Sequence, residues 1–208
     1  MTLEQIFQNV VEGEMAAVEA GVRSALEQGI PADRILNEAL IQAMAKVGRL
    51  FEEGEIFVPE MLFAARAMQT GLKLLKPALA ATDVQSAGKV AIGTVQGDLH
   101  DIGKNLVVMM LEGAGFEVED LGTDVPPEKF VQAVQNGAQV IGMSALLTTT
   151  MASMLKTMEA LRAAGVREHV KVVIGGAPVT DAYARKIGAD AYAADASVAT
   201  RIVRQLIA

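Results

Sequence analysis

Cysteine is missing from all 208 residues of this chain, and so is tryptophan. Without a thiol there is no disulfide, no thiolate nucleophile, no iron–sulfur cluster and no cysteine-held zinc. Positive charge is also scarce, since 18 Lys and Arg against 25 Asp and Glu leave a formal net charge of -7, and aromatic residues make up only 4%. A nucleic-acid surface needs clustered Lys and Arg, so nucleic acid is excluded as a partner. Long apolar runs are missing too. No stretch approaches the roughly 18 uncharged apolar residues that cross a bilayer, so no membrane is expected. The start, Met1-Thr2-Leu3-Glu4, has neither the basic region nor the apolar core of a secretion signal, and a cytoplasmic location is the expectation.

What the chain does have is a 51% apolar content, enough to give one large or two small domains cores of their own. Residues 1–80 carry helical punctuation. Thr2 with Gln5 resembles a capping box, Gly13 and Gly29 interrupt the pattern, and Pro31 suits a first helical turn. The periodicity predicts helices over 2–12, 14–28, 31–53 and 58–80, the third with Ile35, Leu40, Val47 and Leu50 on one face. The last carries Met61, Ala65, Met68, Leu72 and Leu75 as one apolar stripe. Short connections favour an antiparallel four-helix bundle. In the turn Gly54-Glu55-Ile56-Phe57-Val58-Pro59 a phenylalanine stands beside a proline at a helix start, so its ring projects from the bundle, although apolar residues there also suit an ordinary core.

Residues 78–89 lose the stripe and read as a linker and natural hinge. From Lys89 onward short apolar runs alternate with helical segments, the pattern of a parallel sheet covered on both faces. Strands are predicted at 90–95, 117–121, 140–143, 170–174 and 191–193, and helices near 101–114, 127–136, 149–164, 180–187 and 196–207. This suits a flavodoxin-like (Rossmann-like) five-stranded sheet of order 2-1-3-4-5, with ligands at the carboxyl ends of the strands.

The first strand runs into Gly97-Asp98-Leu99-His100-Asp101-Ile102-Gly103-Lys104-Asn105. An acid, an imidazole and two glycines at a strand-to-helix turn suggest a site. Several chemistries fit these residues alone. They could cap a helix, or hold zinc, although no second histidine or cysteine is near to close such a site. A phosphate loop is a near miss, because five residues rather than four separate Gly97 from Gly103 and Asn105 stands where the metal-binding hydroxyl belongs. Lys104 and Asn105 read as helix surface, and His169, before the fourth strand, as a solvated residue at the opposite sheet edge.

Other strand ends converge on the same edge. The third runs into Ser144-Ala145-Leu146-Leu147-Thr148-Thr149-Thr150, with more hydroxyls than one helix cap requires. The fourth ends in Gly175-Gly176, where missing side chains let a ligand lie against the backbone. The fifth leads into Tyr192-Ala193-Ala194-Asp195-Ala196. Together they describe a socket for something long and flat with a thin tail.

With these motifs in order, the sequence resembles the corrinoid carrier proteins of anaerobic methyl transfer and the cobalamin region of cobalamin-dependent methionine synthase. The spacing Asp98-x-His100-x-x-Gly103 matches the cobalamin-binding signature, and the likeness extends over a helical cap (1–80), the linker (78–89) and a cobalamin-binding domain (90–208). It implies cobalamin or a related corrinoid, with His100 as lower axial ligand of cobalt and Asp98 hydrogen-bonded to its other nitrogen. In the methionine synthase pattern a serine continues this relay; here Thr150 stands at that position. Gly97, Leu99, Asp101, Ile102 and Gly103 fall in the matching loop. Ser144, Leu146 and Thr148 match positions near the nucleotide base and the corrin, and Gly175, Gly176, Tyr192, Ala193, Asp195 and Ala196 match the walls of the tail's slot. Phe57, Met61 and Ala64 match the cap surface that covers the upper, reactive face.

The function implied is that of a methyl carrier rather than a complete enzyme. Co(I) accepts a methyl group from a donor held by one methyltransferase, and methyl-Co(III) passes it to an acceptor on a second. The chain has no room for a substrate barrel of about 250 residues, so the resemblance implies barrel-fold methyltransferases as partners, with a reductive activator. The alternative is a cobalamin-dependent sensor, which would need an output or DNA-binding surface. A mutase subunit would not need this cap. A phosphorylation receiver needs an aspartate ending the third strand and a lysine ending the fifth, where Ser144 and Ala194 lie.

Overall fold

The computed structural model describes residues 2–80 and 86–207. Two compact units emerge, one drawn from the chain up to Ser86 and the other from Ala87–Leu111 and Phe116 onward. Residues 81–85 of the expected linker and hinge lie outside the described residues. Its first three residues belong to a helix that runs through Pro77 to Ala80.

The first unit is helical. Helix α1 (Leu3–Val11) starts at a capping box, with the Gln5 amide donating to Thr2 Oγ1 and the Thr2 amide to Gln5 Oε1. It is followed by α2 (Met15–Glu27). The expected third helix is one continuous winding in three pieces: α3 (Ala32–Arg34), a π-helical segment Ile35–Ile41, and α4 (Gln42–Glu52). Its buried residues explain the π segment. They fall in pairs at intervals of four, Ile35 and Leu36, Ala39 and Leu40, Ala43 and Met44, Val47 and Gly48. On an ideal helix such a repeat drifts by about 40° each time, and a stretch of wider turns keeps the pairs on one face.

The last helix, α5 (Val58–Ala80), buries Met61, Ala64, Ala65, Ala67, Met68 and Leu75. Gly71 replaces Leu72 as the inward residue there. A Cβ on it would lie 3.1 Å from both Val18 and Leu40, so its smallness lets α5 approach α2 and the π segment.

The second unit is a parallel five-stranded sheet in the order β2-β1-β3-β4-β5, the order predicted. Its elements are β1 (Lys89–Val95), α6 (Ile102–Gly113), β2 (Glu117–Val125), α7 (Pro127–Gln135), β3 (Val140–Ser144), α8 (Met151–Ala163), β4 (Lys171–Gly175), α9 (Asp181–Ile187), β5 (Ala191–Ala193) and α10 (Ala196–Leu206). One face buries Ala91 and Val95 of β1, Ile141 and Met143 of β3, and Val172 and Ile174 of β4 against Phe130, Met154, Met158 and Leu161. Side chains alternate along each strand, so Val90 and Ile92 pack on the other face. His169 is exposed in a short 3-10 turn before β4.

β2 departs from prediction. It runs four residues past 121 because its pairing with β1 steps twice, between Ile92 and Gly93 and between Gly93 and Val95. Gly122, at φ 87, and Asp124, at φ 52, absorb these steps. Turn-forming residues inside a strand are the mark of a bulge.

Gly176 has φ 124, and a Cβ there would fall 1.9 Å from the Ala145 carbonyl oxygen. Gly165, at φ 70, opens onto free space. Gly176→Ala is therefore expected to cost on the order of 3 kcal/mol and Gly165→Ala about 1 kcal/mol. Urea midpoints of the two variants check this; equal shifts would remove the steric contact as the cause.

Candidate cofactor site

β1 and β3 are neighbours in the sheet, so the loops leaving their carboxyl ends face each other. Asp98, in the first loop, is buried and projects toward the second. Its Oδ1 lies 2.7 Å from His100 Nδ1 and accepts the His100 main-chain N–H at 3.1 Å. Its Oδ2 accepts the Leu146 N–H at 2.8 Å and the Thr150 hydroxyl at 2.7 Å. The Thr150 proton has a second acceptor in the Leu147 carbonyl at 2.9 Å, but the carboxylate is nearer and charged.

Burial would raise the Asp98 carboxyl, yet the donors from Thr150, Leu146 and His100 outweigh it and hold the group well below the usual carboxylate range. An ionised Asp98 has no proton to offer, so Nδ1 of His100 carries the proton and Nε2 the lone pair. The His100 side chain is 51% exposed. The same two loops expose apolar side chains that water would ordinarily drive inward: Leu99, 74% exposed, Ile102, 78% exposed, and Leu146 and Leu147, each nearly half exposed.

A donor set of one imidazole is informative. Among the described residues no group of three or more His, Asp or Glu comes together. A metal held at Nε2 would take one bond from these residues and would need its other ligands from a cofactor. The family comparison says what such a group is. The B12 binding domain family matches residues 88–201, and a second B12 binding domain family matches residues 2–76. The chain is 42% identical to dimethylamine corrinoid protein 3 of Methanosarcina acetivorans, over 99% of this chain and 98% of that one.

The chain belongs to the B12-binding corrinoid proteins.

Two solved structures share the fold over its whole length. A cobalamin-binding protein from Desulfitobacterium hafniense DCB-2 is 34% identical with a TM-score of 0.82, each chain covered completely. The methanol:cobalamin methyltransferase complex MtaBC from Methanosarcina barkeri contains a chain 32% identical with a TM-score of 0.89, covering 99% of this chain and 79% of that one.

The remaining residues of this corrinoid protein fit the group unevenly. Gly175 and Gly176 lie against the backbone of neighbouring loops, since a Cβ on them would fall 2.9 Å from the Ala193 and 1.9 Å from the Ala145 carbonyl oxygen. Gly97 makes its turn at φ 87. Asp101, Gly103 and Thr148 are exposed, and Ser144 and Tyr192 are half-buried. Ala193 and Ala196 are buried, and Asp195 caps α10 by accepting the Val198 N–H at 2.8 Å. In the helical unit Phe57 is 68% exposed, its N–H held by Glu60 Oε2 at the start of α5. Met61 and Ala64 are buried, so of the three expected lid residues only Phe57 presents a free side chain.

Sequence reasoning misread or missed three residues. Lys104 is not helix surface: it is 2% exposed, and its Nζ donates to both oxygens of Asp120 at 2.7 Å and to Asn105 Oδ1 at 2.6 Å. Thr94, buried in β1, donates its hydroxyl to the His100 carbonyl at 2.7 Å. Asp124 accepts the Gly97 N–H at 2.7 Å. A lysine sixteen residues from its carboxylate looks solvated in sequence; only the lack of a regular surface pattern in the first turn of α6 hinted otherwise.

Because the folded-state Asp98 carboxyl titrates below its unfolded counterpart, its contribution is complete above the ordinary carboxylate range and fades as pH falls through that range toward the folded value. In Asp98→Asn one donor amide must oppose another, from Leu146 or His100, at an expected loss on the order of 2–3 kcal/mol at neutral pH. Urea midpoints at neutral pH and at about pH 4 test both parts, because the variant should lose less on acidification than the unsubstituted protein. Identical acid dependence in the two would show that Asp98 titrates elsewhere.

Proposed function

We propose that this chain carries a methyl group on a bound corrinoid, receiving it from a donor on one methyltransferase and giving it to an acceptor on another. The single observation that carries the reading is the half-exposed imidazole of His100, held at Nδ1 by a buried carboxylate, on loops that also expose Leu99, Ile102 and Leu146. When bound, the corrinoid would supply a cobalt atom able to take up and release a methyl group. His100 Nε2 would be the protein atom that holds the cobalt.

Asp98 keeps the proton on Nδ1 and fixes the ring's orientation, which leaves Nε2 as the atom open to a metal. Thr150 stiffens Asp98 from its far side. Leu99, Ile102 and Leu146 give a flat apolar ring its seat, with Gly97, Asp101 and Gly103 shaping the loop beneath. Ser144 and Thr148 stand ready for polar groups at the rim. Gly175, Gly176, Tyr192, Ala193, Asp195 and Ala196 border the slot for a tail.

The expected lid residues lie in the helical unit, where Phe57 is exposed beside the start of α5 and Met61 and Ala64 are buried. Donor and acceptor sites belong to partner proteins, for which we propose barrel-fold methyltransferases, with a reductive activator to restore cofactor lost to oxidation. The relatives support this division of labour: one is named for dimethylamine, and another forms part of a methanol:cobalamin methyltransferase complex. Among the described residues no helix is long and apolar enough to cross a membrane.

Reconstitution with hydroxocobalamin tests the site. His100→Ala should abolish the histidine-ligated visible spectrum while leaving the far-UV circular dichroism unchanged; an unchanged visible spectrum would remove His100 from its role.

A further inference from the structure

The bulged half of β2 grips the His100 loop at two points. Its register against β1 steps from Asp120 to Gly122 and again to Val125, and bulges of this kind re-aim side chains. Asp120 is turned onto Lys104, in the first turn of α6. Asp124 is turned onto the loop itself. It is the one non-glycine residue with positive φ among those described, at φ 52, a conformation that Asp and Asn tolerate better than other L residues.

In that pose Asp124 makes two bonds at once. Its N–H donates to the Asp98 carbonyl at 2.9 Å, and its Oδ1 accepts the Gly97 N–H at 2.7 Å. An ordinary extended φ would swing the N–H and the carboxylate apart, so both bonds depend on the left-handed conformation. They close on the two residues immediately before Leu99 and His100. The side-chain bonds of Asp98 tie His100 to Thr150, and its N–H closes the turn on the Val95 carbonyl at 3.1 Å, so the tie from this turn to β2 is left to Asp124. Gly97, at φ 87, is the most permissive joint in the loop, and Asp124 spans that joint.

We propose that Asp124 is a positioning residue, closing a main-chain clasp on Gly97 and Asp98 that sets the His100 imidazole in place for a metal before any cofactor arrives. The purpose of the clasp rests on His100 as the axial donor, and two measurements on the full chain separate the two claims. Three variants are compared. Asp124→Asn keeps the Oδ1 acceptor and tolerates the backbone, Asp124→Ala removes the acceptor, and Asp124→Gly removes it while relieving the positive φ.

In the apoprotein, hydrogen exchange of the Gly97 amide followed by NMR should quicken about tenfold or more in Asp124→Ala and Asp124→Gly and stay within about twofold in Asp124→Asn. In protein carrying nitrogen-15 histidine and loaded with cob(II)alamin, electron paramagnetic resonance reads the splitting from a histidine nitrogen on cobalt. That fraction should fall several-fold in the Ala and Gly variants and be retained in Asn. The Gly variant decides between positioning and stability, since its thermal midpoint should be unchanged or raised while its histidine coupling is lost. Unchanged exchange and coupling in both Ala and Gly, or equal loss in Asn, would overturn the clasp. Absence of histidine coupling in the unsubstituted protein would overturn the axial role of His100, and with it the purpose of the clasp, even where Gly97 exchange behaves as expected.

Discussion

The site depends on one buried negative charge and the four donors that reach it. A carboxylate taken out of water loses several kcal/mol of hydration, and only charge-assisted hydrogen bonds of good geometry offset that loss. Asp98 receives two N–H groups, one imidazole and one hydroxyl, all within 3.1 Å. Two of the four come from the far loop, so the charge is stable only where β1 and β3 lie side by side. The strand order therefore serves as more than packing. Without that adjacency Leu146 and Thr150 could not reach Asp98, and the imidazole would lose the partner that fixes its tautomer.

How the loops are anchored follows from the same constraint. Each strand end meeting at this edge contributes something different. Thr94 of β1 holds the His100 carbonyl, β2 brings Asp120 and Asp124 through its bulge, and the turn after β3 supplies two donors. At Gly175 and Gly176 the contribution is the absence of side chains, because the loop after β4 passes so close to Ala145 and Ala193 that a single methyl group would collide with their carbonyls. Rigid contacts thus lie beneath and behind His100, and open apolar surface lies in front.

Much of this was legible in the sequence because it is local or periodic. Asp98 and His100 are two residues apart, so their partnership shows in spacing, and alternating strands and helices set the sheet order through rules of connection that ignore side-chain detail. The hydroxyl cluster was visible, but only the resemblance, and not the residues themselves, singled out Thr150 within it. Thr148 and Thr149 are exposed, whereas Thr150 turns inward because it precedes α8 by one residue and aims back across the sheet edge. Long-range partners left no trace: Lys104 and Asp120 look like two solvated charges, and Gly122 and Asp124 read as the end of a strand when they are its bulge. In the helical unit, spacing alone could not separate Phe57, which projects, from Met61 and Ala64, which pack inward one and two turns later.

The division between fixed and free parts bears on how a single imidazole can serve a metal bond that is made and broken. Asp98 is held by four contacts on two loops and has no room to follow the ring. His100 has one side-chain contact, at Nδ1, with half of its side chain in the open. Small displacements of the imidazole along the axis through Nε2 therefore stretch or shorten one hydrogen bond and leave the rest of the network intact. In the proposed role that asymmetry would let the ring adjust to a metal at Nε2 while the buried charge behind Nδ1 stays put and the loop keeps its shape.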